Sequence, residues 1–84
     1  MRLDKYLKVS RLIKRRTVAN EACDSSRVSV NGKVVKPSYD VKVGDEITVA
    51  FGAKQVTVRV LDIRETTKKA ESVGMYEVVS ESNA

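Results

Sequence analysis

Eighty-four residues with a formal net charge of +5 make room for one domain and one modest core, at a radius of gyration of roughly 12 Å. With no histidine and a single cysteine, the chain can build neither a Ser/His nor a Cys/His nucleophile pair, nor a zinc site, nor an internal disulfide, so neither catalysis nor a cofactor is expected. No apolar run approaches the ~20 residues that cross a bilayer, no signal peptide is legible at the basic N-terminus, and a reduced cytoplasm is the expected compartment.

Leu3 to Ser10 is predicted to be a short helix, with Leu3 and Leu7 on one face beside Tyr6 and Ser10. Asp4 falls in its first turn, where the helix dipole favours an acid, and can pair with Lys8 one turn later. Arg11-Leu12-Ile13-Lys14 alternates charge and apolar side chains and reads as a tight connection that buries Leu12 or Ile13. Arg15 to about Ser25 is a second predicted helix, with Val18, Ala19, Ala22 and Cys23 as its apolar stripe. Cys23 on that stripe reads as a small packed hydrophobe.

Beyond Ser26 the period changes to two. Val28 and Val30 lead into Asn31-Gly32, a favoured two-residue hairpin turn, and Val34-Val35 return from it. Gly44-Asp45 marks another turn, where Asp40, Asp45 and Glu46 are expected to be solvated. Ile47, Val49 and Phe51 share one face of a strand, and Val56, Val58 and Val60 one face of the next. The alternation slips at Val60-Leu61, a bulge or the strand's end. Thr66 to Gly74 reads as a polar loop, Met75 to Val79 as a last strand, and residues 80–84 as a loose tail. Two N-terminal helices followed by about five short strands predict an α+β fold, with the helices laid on a small, mostly antiparallel sheet.

The charge is unevenly placed. Residues 1–36 carry ten Lys/Arg against three acids, whereas residues 37–84 carry six against eight. Seven of the cations, Arg2, Lys5, Lys8, Arg11, Lys14, Arg15 and Arg16, fall within the first sixteen residues. Such a cluster repels itself unless a polyanion relieves it, so a nucleic acid or an anionic membrane face is the implied partner. Arg2, Lys5 and Lys8 advance along one helix face, and Arg11 to Arg16 surround the start of the second helix, where free N–H groups and the dipole also attract phosphate. No helix carries the Asn, Gln and Arg fringe of a major-groove reader, and four aromatics form no base-stacking platform. Backbone cations suit folded RNA.

Arg2-Leu3-Asp4-x-x-Leu7, Arg16-x-x-Ala19, Val28-x-Val30-Asn31-Gly32 and Val43-Gly44-Asp45-x-Ile47-x-Val49, in that order, resemble the S-four RNA-binding domain over residues 1 to about 51. The resemblance implies paired RNA-binding helices (the alpha-L motif) packed on a small sheet. On that reading, residues 1–84 form a single domain, with a core motif at 1–51, a hairpin and strand at 52–79 and the tail at 80–84. Arg15 stands where the family usually has a helix-capping Ser, and Ser26 where it often has Gly.

Val9 to Thr17 and Asp62 to Lys69 are similar to a short stand-alone subfamily of Gram-positive bacteria, the RqcP-like proteins, related to heat-shock protein fifteen. This similarity implies a non-enzymatic factor of ribosome quality control. It would bind the obstructed large ribosomal subunit as a monomer, contact 23S rRNA and the P-site tRNA, and support RqcH in alanine tailing, with no membrane role. The expected RNA-binding residues are Arg2, Lys5, Lys8, Arg11, Lys14, Arg15 and Arg16, with Asp4 orienting the cations or meeting a ribose hydroxyl. A ribosome-assembly or general RNA-binding stress factor is the alternative, and a protein-interaction adaptor one of another class.

Overall fold

The computed structural model describes residues 1–64 and 73–83. Two short helices, α1 (Leu3–Val9) and α2 (Arg16–Asp24), precede the strands β1 (Val28–Val30), β2 (Lys33–Val34), β3 (Glu46–Phe51) and β4 (Lys54–Val60). A 3-10 turn at Val73–Met75 leads into β5 (Tyr76–Asn83). The strands form one antiparallel sheet in the order β2-β1-β3-β4-β5. The radius of gyration is 11.4 Å, close to the expectation from length. No helix among the described residues is long and apolar enough to cross a membrane.

Each helix ends in a left-handed residue. Ser26 (φ 60°) follows α2, where its N–H donates to the Cys23 carbonyl and the Arg27 N–H to the Ala22 carbonyl, the two bonds of a Schellman ending. Arg11 (φ 66°) closes α1 in a related way, donating to the Lys8 carbonyl while the Ile13 N–H reaches the Leu7 carbonyl. Such a conformation costs a non-glycine residue about 1 kcal/mol. It turns the chain sharply enough to bury Ile13 and return α2 against α1. The β1–β2 turn follows its residues: Asn31 and Gly32 both have positive φ, as a two-residue hairpin of the favoured twist requires.

The core lies between the helices and one face of the sheet. Leu3, Tyr6 and Leu7 from α1, Ala19, Ala22 and Cys23 from α2, and Val28, Val30, Ile47, Val49, Val58 and Val60 from the strands are all buried. Each large aliphatic side chain so buried contributes about 1.5–3 kcal/mol. Tyr6 is enclosed, and its hydroxyl donates to the Met75 carbonyl at 2.7 Å, tying α1 to the entry of β5. Burial pushes the Cys23 thiol up to about 11, with the charges of Asp4 and Asp24 adding to it. A thiol held that far from ionising is packing material. Cys23→Ala is therefore expected to lower stability by about 1 kcal/mol and leave RNA affinity at the wild-type level; a folded variant with weakened binding would give the thiol another role.

Several expectations are corrected. Val18 is 46% exposed, because the stripe that docks on α1 and the sheet runs through Ala19, Ala22 and Cys23. Phe51, at the end of β3, is also exposed. Asp45 is not a solvated turn residue: it is buried and accepts hydrogen bonds from Asn31 Nδ2 (3.1 Å), the Tyr39 hydroxyl (3.1 Å) and the Lys42 N–H (3.0 Å). The left-handed Gly44 (φ 95°) turns this carboxylate back onto the hairpin. Met75 belongs to the 3-10 turn, and residues 80–83 are not a tail: Ser80 to Asn83 pair with Thr57 to Lys54. β4 ends at Val60, where the alternation slipped, and the register shift lies at Thr57/Val58 in its pairing with β5. The predicted loop falls outside the described residues over 66–72.

Candidate RNA interface

Asp4 organises the basic end of the molecule. Its side chain is 3% exposed, because α1 turns it toward α2. Arg2 approaches with both arms of its guanidinium, Nε to Oδ1 and Nη2 to Oδ2, each at 3.2 Å. The Lys5 N–H donates to Oδ1 at 2.7 Å, Asn20 Nδ2 donates to Oδ2 at 3.2 Å, and Arg16 Nη2 stands 3.7 Å from Oδ1. Burial raises the Asp4 pKa, but the hydrogen bonds from Asn20, Arg2 and the Lys5 backbone outweigh it and hold the carboxyl below the ordinary carboxylate range. The ionised carboxylate thus clamps the N-terminus of α1 to the first turns of α2 and aligns two arginines. The expected pair with Lys8 does not form, since Lys8 points to solvent while Asp4 points inward.

The two helix N-termini differ. Those first amides of α1 are satisfied by the chain itself, Leu3 donating to the Tyr39 carbonyl (2.8 Å) and Asp4 to the Pro37 carbonyl (3.1 Å). α2 starts at Arg16 with Arg15 extended before it, no side-chain cap and no acid in its first turn. Its first N–H groups lack intrahelical acceptors by geometry. A helix start of this kind, ringed by Lys14, Arg15 and Arg16, favours an anion.

The other expected site residues divide in three. Lys8, Arg11, Lys14 and Arg15 are exposed and have no ion-pair partner among the described residues. Arg2 and Arg16 are about half exposed, with their guanidinium groups steered by Asp4. Lys5 is half-buried. Elsewhere the described cations are mixed: Lys54 lies 3.1 Å from Glu81, Arg59 2.8 Å from Glu77 and Arg64 2.7 Å from Asp62, while Arg27, Lys33, Lys36 and Lys42 are exposed without an ion-pair partner among the described residues. Unpaired positive charge is thus densest in the helical segment, where four such cations fall within residues 8–15 and two more arginines flank Asp4. Asn20 is the residue that sequence reasoning missed; its one legible signal is a position four after Arg16, on the same helix face.

A model of the S4 domain family matches residues 1–47. The chain is 59% identical over 81 residues to the RQC P-site tRNA stabilizing factor of Bacillus subtilis, covering 96% of this chain and 94% of that protein. It is 55% identical to the protein of the same name from Streptococcus pneumoniae, over 98% of this chain and 93% of the other. Among solved structures, trimeric heat shock protein 15 of Vibrio cholerae superposes with a TM-score of 0.88 at 30% identity, covering 95% of this chain and 82% of that one. Matched by the family model over both helices and the first two strands, and by these relatives over almost its whole length, the chain belongs to the S4 domain family, in the branch of the RQC P-site tRNA stabilizing factors.

Proposed function

We propose that this protein stabilises the P-site tRNA in ribosome-associated quality control, acting as a single RNA-binding domain without chemistry of its own. The observation that carries this reading is the helical end itself, where unpaired cations surround the uncapped start of α2. Near-full-length similarity to proteins named for this task supports it. In the finer form of the proposal, Arg2, Lys5, Lys8, Arg11, Lys14, Arg15 and Arg16 hold phosphates of 23S rRNA and peptidyl-tRNA on the obstructed large subunit. Asp4 positions Arg2 and Arg16, its two oxygens being occupied by donors from the chain. A monomer bridging both RNAs would keep the tRNA seated while RqcH adds alanine to the stalled chain in the cytoplasm.

Arg16→Ala against Lys54→Ala tests the assignment, because the two side chains are equally exposed, at 52% and 50%, and differ in place. A charge-assisted bond to phosphate is worth about 1.5–3 kcal/mol, so Arg16→Ala is expected to weaken co-sedimentation with 50S subunits about tenfold or more. Lys54→Ala removes the same charge from a surface pair with Glu81, and about twofold is expected from the screened field alone. Equal losses, in variants shown to be folded by circular dichroism, would mean that net charge drives binding and that the helical end is not the site.

A further inference from the structure

We infer that Asn20 is a specificity-determining residue that accepts a hydrogen bond from a ribose 2′-hydroxyl of the bound RNA, an inference that rests on the RNA-binding reading above. Asn20 is half-buried on α2, and its Nδ2 donates to Asp4 Oδ2 at 3.2 Å. An ionised carboxylate only accepts, so the amide must turn its NH₂ group toward Asp4 and its carbonyl oxygen away. That oxygen has no partner among the described residues. The same carboxylate gathers Arg2 at 3.2 Å and Arg16 at 3.7 Å. An acceptor thus stands in a fixed orientation on the carboxylate that also anchors two arginines that suit phosphate.

Phosphate oxygens are acceptors and cannot satisfy it; the partner must bring an O–H or N–H. Along a nucleic-acid backbone the group between successive phosphates is the sugar, and only ribose carries a hydroxyl donor there. The role expected for Asp4, meeting a ribose hydroxyl, therefore passes to the neighbour that Asp4 orients. DNA would leave the Asn20 oxygen facing a C–H, losing a hydrogen bond without any change in charge.

The test measures affinity of the full chain for a tRNA transcript and for a DNA strand of the same sequence, with wild type, Asn20→Ala and Arg16→Ala. Wild type is expected to prefer the RNA. Asn20→Ala should lose about three- to tenfold on RNA and far less on DNA, so that the preference collapses. Transcripts with single 2′-deoxy positions give the same reading with wild type alone, should Asn20→Ala fail to fold. Equal losses on both nucleic acids would make Asn20 a prop of Asp4 and overturn the proposal, as would no loss on either. A deficit reproduced by inosine in place of guanosine, and not by deoxyribose, would assign the oxygen to a base amino group and overturn it too. Failure of the RNA-binding reading has its own signature: Arg16→Ala would then bind both probes like wild type.

Discussion

Raising monovalent salt from about 50 to 200 mM is expected to weaken RNA binding by roughly 250- to 1,000-fold. The size follows from counting phosphates. Seven cations lie within residues 1–16. If about six of them each displace one condensed counterion, log affinity falls with a slope of roughly −4 to −5 against log salt. Internal pairing reduces this little, because Asp4 is the one acid in that segment and shares its single charge between Arg2 and Arg16. In the rest of the chain, Lys54, Arg59 and Arg64 already have carboxylates beside them, whereas the exposed Arg27, Lys33, Lys36 and Lys42 would steepen the slope only if RNA reaches them as well. Filter binding across the salt range measures the slope directly. A value shallower than about −2 would sink the phosphate clamp.

Asp4→Ala is expected to lower folding stability by about 2 kcal/mol. The carboxylate is 3% exposed and accepts from Arg2, Asn20 and the Lys5 N–H, so its removal strips several bonds from the seam between α1 and α2. Both arginine partners, about half exposed, regain water, which keeps the loss below that of a fully buried pair. The sign of the pH dependence follows from the depressed pKa: the stabilisation is present above the unfolded value near 4 and is lost as pH falls through the lower folded value. Asp4→Asn keeps the shape without the charge. Its deficit against wild type should therefore be larger at about pH 7 than at about pH 3 in urea denaturation. A deficit independent of pH would show that the charge of Asp4 contributes nothing to the seam. RNA affinity of folded Asp4→Asn should also fall, since Arg2 and Arg16 lose their common anchor.

Local chemistry made much of this molecule legible in its residues. Spacing of three and four in Leu3, Leu7, Ala19 and Ala22, alternation in Val28–Val30, Ile47–Val49 and Val56–Val60, and the Asn31-Gly32 turn each act within a few residues, and each produced the element expected of it. The cation cluster was equally plain, because Arg2 to Arg16, and Asp4 among them, are near neighbours in sequence. Tertiary structure decided the rest. Periodicity says which side chains share a face, but only docking says where that face ends, so Val18 stayed in solvent while Ala19 went inside. The inward turn of Asp4 depended on Asn20, sixteen residues away, and the burial of Asp45 on Asn31 and Tyr39. The strand over Ser80–Asn83 exists because Lys54 to Thr57 present an edge to pair with, a distant contact that a polar, weakly alternating segment does not announce.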